Sequence, residues 1–285
     1  MLRRTTSILI AAALFAVLAP AAARAADGTF DKTLHVSGQV ILSVNTGAGY
    51  IHVSPGAGSD VHIIGHVHAS GWGFGSSADD RVHQLVSSPP IEQSGNIITV
   101  GRHLNWLHNV SIDYDITAPR GTDLDASSGS GDLRIQDLGG SLKANTGSGS
   151  INANGVTGRV VLETGSGEIR ADLHSASDVR AETGSGGIHL QGVDGALFAE
   201  TGSGDIEIGG QPGSNWKIET GSGSVTLNTG NAHFTLDAST GSGDVRSDPP
   251  ISTHGSLERH HIQGDINGGG PTVRVQTGSG DIRIH

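Results

Sequence analysis

The amino-acid sequence predicts an all-β fold, a parallel β-solenoid with coils of about 18–20 residues and two short strands per coil. Three observations predict it. A Thr-Gly-Ser-Gly segment recurs at a nearly constant interval, and both of its flanks alternate apolar with polar residues. Glycine supplies 45 of 285 residues, while Phe, Tyr and Trp together are only 4%. A core built on large aromatic side chains is therefore not expected.

The repeat is the strongest signal in the chain. Successive copies lie 18 to 20 residues apart, except for a last interval of 37 that contains a degraded copy at 263–266. An earlier copy occupies 45–49. The first glycines of the full copies are Gly129, Gly147, Gly165, Gly184, Gly202, Gly221, Gly241 and Gly278.

The flanks of each copy predict its strands. Val160 and Leu162 precede Gly165 by five and three residues, and Ile169 and Ala171 follow it by four and six. This period of two is typical of half-buried strands. The glycines are expected to provide positive φ values at the turn between the strands. A series of antiparallel hairpins is the alternative, but the fixed period and the small inward alanines favour stacked coils.

Residues 1–25 have the features of a secretory signal peptide. Arg3 and Arg4 precede an apolar run over 8–19, and Ala23-Arg24-Ala25 fits a cleavage site. A retained membrane anchor is the alternative, although the run is shorter than the roughly 20 residues that a spanning helix needs. We therefore expect an exported protein, either periplasmic or secreted to the cell surface.

The mature chain is expected to form one continuous domain in two parts. Residues 26–109 hold the first coils and a cap, and residues 110–285 hold the regular repeats. The cap should contain a strand over 61–67, a flexible loop over 71–75 and a helix over 78–86 with Ser77 as its N-cap. A hairpin should follow, with strands at 91–93 and 97–100. Such a cap would keep the open end of a solenoid from polymerising.

Charge and cysteine content exclude some classes of partner and of stabilisation. Without residues 1–25 the chain has 14 basic and 28 acidic residues, a net charge of −14. A chain this acidic repels phosphate backbones, so nucleic acid is not an expected partner. The chain contains no cysteine, and its stability must therefore come from strand pairing and packing, without disulfides.

Stacking would align outward residues into columns. One column is a possible surface-binding site formed by Glu163, Glu182, Glu200 and Glu219. Neighbouring cations such as Arg180 and Lys217 would relieve part of the repulsion between stacked carboxylates. A solvated face and a cation-binding strip both remain open for this column. The threonines before each Gly-Ser-Gly form another column, whose hydroxyls are expected to hydrogen-bond along the stack or to turn amides.

No cofactor or metal is expected, although three histidines are weak metal candidates. His66 and His68 share one face of a strand, and His62 could join them if Gly65 marks a bulge. Neutral imidazoles at this spacing permit zinc or copper binding. Surface histidines without a metal are the alternative.

No catalytic constellation emerges, and we expect a protein that is not an enzyme. The serines of Gly-Ser-Gly lack the spacing of a nucleophile elbow. Asp113 and Asp115, on one face of a strand, are the sole candidates for the paired carboxylates of a polysaccharide-cleaving solenoid. A solvated strand face is the alternative for both.

The run from Val110 to Ile135 resembles a known bacterial family. A strand over 110–119, the Pro119-Arg120-Gly121 bend and the Gly-Ser-Gly-Asp-Leu segment at 129–133 reproduce the layout of a β-strand-repeat domain of unknown function that is labelled an adhesin. The resemblance extends from about residue 30 to 285. It implies the fold and an adhesin-like, non-catalytic binding or structural role in the cell envelope, with no catalytic residues to transfer. The partner would be an unidentified envelope protein or polysaccharide, and a carbohydrate-active enzyme is the alternative function.

Overall fold

The computed structural model describes residues 25–70, 77–102, 109–253 and 258–285, without the side chains of 175–177. The predicted signal peptide, apart from Ala25, and the predicted loop over 71–75 lie outside these residues. The all-β prediction is confirmed, because the described residues form one helix and 22 strands that belong to a single hydrogen-bonded sheet.

The elements follow one another along the chain with short connections. They are β1 (Ala26–His35), β2 (Ile41–Thr46), β3 (Ile51–Gly56), β4 (Asp60–Ala69), α1 (Ala78–Ser87), β5 (Ile91–Ser94), β6 (Ile97–Val100), β7 (Val110–Pro119), β8 (Asp123–Ser128), β9 (Leu133–Gln136), β10 (Leu142–Thr146), β11 (Ile151–Thr164), β12 (Ile169–Thr183), β13 (Ile188–Ser203), β14 (Ile206–Gly210), β15 (Trp216–Ser222), β16 (Val225–Asn228), β17 (Phe234–Ser242), β18 (Val245–Ser247), β19 (Ile251–Thr253), β20 (His261–Ile266), β21 (Thr272–Ser279) and β22 (Ile282–Ile284).

The strand pairings form two ladders. Ladder A runs β5–β6–β2–β8–β10, continues through the second halves of β11, β12 and β13, and ends β15–β21–β17–β20–β19. Ladder B runs β1–β4–β7–β3–β9, continues through the first halves of β11, β12 and β13, and ends β14–β16–β22–β18. We call one strand segment of each ladder, together with the connection between them, a coil. In the regular repeats this connection is the Gly-Ser-Gly turn.

The core lies between the two ladders and is built from registered apolar columns. Leu162 pairs with Ala144 on one side and Ala181 on the other, and all three side chains are buried. The alternating apolar positions predicted to point inward are buried, so this prediction is confirmed. In the copy at Gly241 the corresponding position holds Ser247, which is half-buried. A further buried column, which the sequence did not suggest, lines the side opposite the Gly-Ser-Gly turns and comprises Leu138, Val156, Leu173 and Val193.

Three coils differ from the predicted pair of short strands. β11, β12 and β13 are continuous strands of 14, 15 and 16 residues, and each crosses the corner opposite the Gly-Ser-Gly turn. Register shifts between Asn154 and Val156, and between Val156 and Gly158, mark the corner in β11. The strand bends at this corner through a bulge-like shift in its register with β12, and its pairing with β12 continues before and after the corner.

The threonine column, which was expected among the outward columns, is instead buried and connects the coils. Thr164 Oγ1 donates to the Gly149 carbonyl oxygen of the preceding coil at 2.8 Å and accepts the Gly167 N–H at 3.1 Å. The sequence predicted hydrogen bonds along the stack or to turn amides, and both kinds are confirmed. The same bond to a glycine carbonyl is made by Ser128, Thr146, Thr183, Thr201, Thr220, Thr240 and Thr277.

The glycines of the repeat act differently from the prediction. In the Gly-Ser-Gly turns, only Gly243 and Gly280 have a φ in the positive region that disfavours side chains. The expected positive φ is therefore wrong for the other copies. Instead, a Cβ on Gly149 or Gly167 would overlap the backbone of the glycine stacked against it. Glycine is needed here because neighbouring coils approach one another through bare backbone.

The order of coils in the stack differs from their order in the sequence at both ends. The first coil, β2–β3, lies between the coil formed by β6 and β7 and the coil formed by β8 and β9. The last coil, β21–β22, lies between β15–β16 and β17–β18. Each terminal coil is therefore inserted one place inside the end of the stack.

The degraded copy at 263–266 does not form a coil of the regular kind. It belongs to β20, which pairs antiparallel with β17 and with β19 at the end of ladder A. Gly264 lies against Ser252 and Ile251 of β19, where a Cβ would not fit. The prediction of a further coil within the interval of 37 residues is wrong, because the space beside β17 is filled by β21.

The predicted helix and hairpin are confirmed. Ser77 caps α1 in a capping box, in which its hydroxyl accepts the Asp80 N–H and the Asp80 carboxylate accepts the Ser77 N–H. β5 and β6 pair antiparallel at the start of ladder A. Helix α1 packs on β1 and β4 at the start of ladder B, with Val82 against Gly28. Both elements therefore lie at the same end of the stack.

Candidate functional site

The four predicted glutamates form a registered column on the outer side of ladder A. Glu163 pairs with Glu182, Glu182 with Glu200, and Glu200 with Glu219. Asn145 precedes the column and its amide donates to Glu163 at 3.1 Å. Gln276 follows Glu219, because β21 is inserted there. The glutamates are therefore continuous over four coils, and an amide in the next coil ends the column at each side.

Cations in the neighbouring column neutralise part of this charge. Arg180 forms an ion pair with Glu182, and Lys217 forms one with Glu219 at 2.7 Å. The Phe198 ring lies between these cations, with the Arg180 guanidinium carbon 4.4 Å and Lys217 Nζ 5.2 Å from its centroid. Glu200 is exposed and forms no ion pair with the described residues. It is therefore the carboxylate of the column most available to a partner.

A shallow groove follows the column on the side of the Gly-Ser-Gly turns. One stretch, of about 540 Å³, runs from Asn145 to Glu200. The next, of about 600 Å³, runs from Glu200 past Glu219 to Gln276. The two stretches share Glu200, so we treat them as one feature, the glutamate groove. Its floor is made by the buried threonines and the first glycines of the turns.

The three candidate metal-binding histidines all lie on the outer side of β4. Strand β4 pairs in continuous register with β1 and β7, so Gly65 marks no bulge. It faces inward instead, where the Phe30 ring occupies the space a Cβ would need. His62 shares the face of His66 and His68 because all three are separated by even intervals.

Each of these histidines contacts a carboxylate. His62 Nε2 lies 2.8 Å from Asp31, and His68 Nδ1 lies 2.8 Å from Asp27. His66 Nε2 lies 3.5 Å from Asp115. Within the described ranges, no group of three or more histidines and carboxylates is arranged to hold a metal ion. The structure thus brings the histidines to one face without forming a metal centre from them.

Asp113 and Asp115, the candidate catalytic carboxylates, are engaged by several neighbours. The Tyr50 hydroxyl donates to Asp115 at 2.9 Å, and the Tyr50 N–H donates to Asp113 at 2.9 Å. His52 Nδ1 also lies 3.2 Å from Asp115. Burial, together with the hydrogen bond and negative charge of Asp115, raises the pKa of Tyr50 to about 12. Sequence reasoning did not predict the roles of Tyr50 and His52. They lie beside Asp115 only because the first coil, β2–β3, is inserted next to β7.

No helix among the described residues is long and apolar enough to cross a membrane. Stacked short strands, an inward hydroxyl column and regular outward columns define an all-β protein of the solenoid-like class. Residues 92–285, more than half of the sequence, match the family model described as Toastrack DUF4097, and this chain belongs to that family. The expected membership of a β-strand domain family of unknown function is thereby supported.

Two solved structures are similar over most of the chain. A proposed cell adhesion protein from Clostridium sporogenes has 14% identity and a TM-score of 0.32, with 91% of this chain and 99% of that chain covered. A proposed adhesin from Bacteroides fragilis has 12% identity and a TM-score of 0.26, with 90% and 97% covered. Similarities of this size carry no conclusion about what this chain binds. No curated protein matches it.

Proposed function

We propose that this protein is an exported, non-catalytic binding module of the cell envelope, adhesin-like in role, which holds its partner along the glutamate groove. The observation that carries the proposal is the registered column of Glu163, Glu182, Glu200 and Glu219 beside a continuous groove. A stack of coils repeats one binding element at a fixed spacing, which suits an extended partner better than a small molecule.

The geometry of the groove favours a linear partner with cationic groups. Neighbouring coils lie about 4.8 Å apart, so the four glutamates extend over roughly 15 Å. The exposed Glu200 lies at the point where the two stretches of the groove meet. Each contact with such a column is weak on its own, but several contacts on one partner reinforce one another. An envelope protein segment or a polysaccharide with amino groups would fit.

The engaged state of the carboxylates supports a non-catalytic role. A polysaccharide-cleaving pair needs one carboxyl group free to protonate the leaving oxygen and a second to act as base or nucleophile. Asp115 instead accepts from Tyr50 and contacts His52 and His66. Asp113 accepts the Tyr50 N–H and contacts His68. These contacts hold both carboxylates in fixed positions on the outer surface of ladder B, as expected for a structural role.

Export is supported by the features of residues 1–25, and it can be tested directly. Fractionation of cells that express the full chain should place the mature protein in the periplasm or on the surface, with cleavage after Ala25. Recovery of the uncleaved chain from the cytoplasm would overturn the export proposal. The binding proposal would be unaffected, because it concerns the mature surface.

The binding role is tested by capture from envelope fractions. The mature protein should retain an envelope protein or polysaccharide, and a variant with Glu163, Glu182, Glu200 and Glu219 all changed to Gln should lose it. A control with Glu168→Gln, just before β12, and Glu207→Gln, on β14 of ladder B, should retain it. Equal capture by the groove variant would exclude the groove as the binding surface. Reproducible release of sugars from the captured polysaccharide would overturn the non-catalytic role.

A further inference from the structure

A second groove lies on the outer side of ladder B, where the inserted first coil meets its neighbours. Its volume is about 450 Å³, and its lining includes Tyr50, His52, Asp115, Arg134 and Asn152. In the pairing register, His52 lies beside Arg134, and Arg134 lies beside Asn152. The groove therefore combines the Arg134 cation, a ring nitrogen, an amide and an aromatic side chain with the carboxylates of Asp115 and Asp132, both of which accept hydrogen bonds from neighbouring residues.

Arg134 departs from the pattern of the other coils. Several coils carry an acidic residue two positions before an outward arginine. In three of them the two side chains form an ion pair: Glu168 with Arg170 at 2.7 Å, Asp244 with Arg246 at 2.9 Å, and Asp281 with Arg283 at 2.6 Å. Asp132 stands at the equivalent position before Arg134, but its carboxylate accepts the Ser150 N–H at 2.8 Å. No described residue forms a hydrogen bond or ion pair with the Arg134 side chain, which is exposed.

Two buried polar atoms without a partner flank this arginine. Nε2 of His52 and Oδ1 of Asn152 are both inaccessible to solvent and make no hydrogen bond with the described residues. His52 directs its Nδ1 to the Asp115 carboxylate at 3.2 Å, and a carboxylate only accepts. In the neutral ring the proton is therefore on Nδ1, and Nε2 is an acceptor. Unpaired buried acceptors are uncommon in folded proteins, and these two give the wall beside Arg134 an unsatisfied polar character.

Tyr50 supplies an aromatic surface at the rim of the groove. It is one of the few large apolar side chains that remain exposed, at 37%, among the described residues. Its hydroxyl is held by Asp115 at 2.9 Å, so the ring is fixed in place. An aromatic ring with one tethered polar end can contact the apolar face of a bound ring.

We propose that this second groove binds an acidic sugar, with the carboxylate of one uronic acid residue on Arg134. The guanidinium matches a carboxylate in shape and charge. The sugar ring lies against Tyr50, at the exposed part of the groove. The site is separate from the glutamate groove, because it lies on the other ladder and attracts the opposite charge.

The test is isothermal titration of the mature protein with trisaccharides of galacturonate and of glucuronate and with their methyl esters. The esters keep the ring and the hydroxyls but remove the charge. We expect one of the acids to bind, and its ester to bind roughly 10-fold or more weakly. The Arg134→Gln variant should bind the acid roughly 10- to 100-fold more weakly than the parent. Arg159→Gln is the matched control, since Arg159 is also exposed and has no partner among the described residues.

A second variant addresses the geometry of the site. Asn152→Asp places a carboxylate beside Arg134 in the register and should weaken binding of the acid more than binding of its ester. The proposal is overturned if neither acid binds, or if Arg134→Gln binds the acid as the parent does. The fourfold glutamine variant of the glutamate groove should retain acid binding, so a failure of either site can be told from a failure of the other.

Discussion

The hydroxyl of Thr164 lies between two coils, 2.8 Å from the carbonyl oxygen of Gly149 in the coil before it. The Thr164 hydroxyl oxygen also accepts the Gly167 N–H of its own turn at 3.1 Å. Thr164 is 7% exposed, so both bonds are sheltered from water. One side chain thereby satisfies a turn amide and a neighbouring turn carbonyl, and it ties the turn of one coil to the next.

Replacing Thr164 with Val should lower the free energy of unfolding by about 1–3 kcal/mol. The change keeps the shape of the side chain but leaves the Gly167 N–H and the Gly149 carbonyl without this partner. Thr164→Ser keeps the hydroxyl and is the control, with a smaller loss expected. Urea denaturation of the three proteins measures the difference. Equal stability of the Val variant and the parent would contradict a structural role for the column.

Replacing Gly149 with Ala should destabilise the protein by about 2–3 kcal/mol or more, because the new methyl group would overlap the Gly131 backbone. Neither coil can move without disturbing its other neighbour. Gly47→Ala, at the first glycine of the earliest copy of the motif, is the control for a glycine in open space, since a Cβ there meets nothing within 4 Å. Thermal unfolding should separate the two variants clearly. If both alanines were tolerated equally, close backbone stacking would not be the reason for the glycines.

Asp123 should contribute stability that depends on pH. The Ser141 N–H donates to it at 2.7 Å and Gln39 at 2.6 Å. Chiefly because of the Ser141 backbone bond, the pKa of Asp123 lies below its ordinary value in the folded chain. Since a lowered folded pKa favours the folded state only when the carboxylate is ionised, this contribution is present above the unfolded pKa and is lost as pH falls.

Asp123→Asn should therefore be less stable than the parent at pH 7, and the difference should shrink as the pH is lowered below 4. Asp125→Asn is the control on the same strand. Asp125 is exposed and makes no hydrogen bond or ion pair with the described residues. Urea denaturation of the three proteins at pH 7, 5 and 3 provides the comparison. A difference that stays constant over this range would exclude the ionised carboxylate as its source.

A chain that begins at Val110 should associate in solution. This truncation removes α1, the β5–β6 hairpin and the first coil, so β8 and β9 lose the strands beside them. Unpaired strand edges recruit other strands. Size-exclusion chromatography with light scattering should detect oligomers or aggregates of the truncated protein. A chain that begins at residue 25 is the control for this measurement. A monomeric, soluble truncated protein would show that the N-terminal part is not a cap.

Much of the local structure could be predicted because the same pattern of residues occurs in eight copies of the repeat. The alternation around Val160 and Leu162 predicts which side chains are buried, and the structure agrees. Ser77 and Asp80 predict the start of the helix, since a capping box is a purely local arrangement. Such features depend on neighbours within a few residues, and they can therefore be recognised from spacing alone.

The order of the coils could not be predicted for the same reason. The repeats have nearly identical strand edges. The sequence near each strand therefore does not show whether β17 pairs directly with β15 or whether β21 lies between them, as it does in the structure. The second groove depends on this order. Tyr50 and His52 reach Asp115 across more than 60 residues of sequence, because the first coil is inserted beside β7. Arg134 likewise looks ordinary until its missing ion pair is compared with those of the other coils.

The inserted terminal coils impose a schedule on folding. Strands β21 and β22 come after β17 and β18 in the chain, yet they fill the position between β15–β16 and β17–β18. Until residue 284 is available, the body has either an empty slot or a provisional contact that must open again. A nascent chain can therefore complete this part of the sheet only after β22 has been made. In a solenoid whose coils follow the order of the sequence, loss of residues 274–285 would shorten one end of the stack. Here the same loss would leave a gap inside the stack.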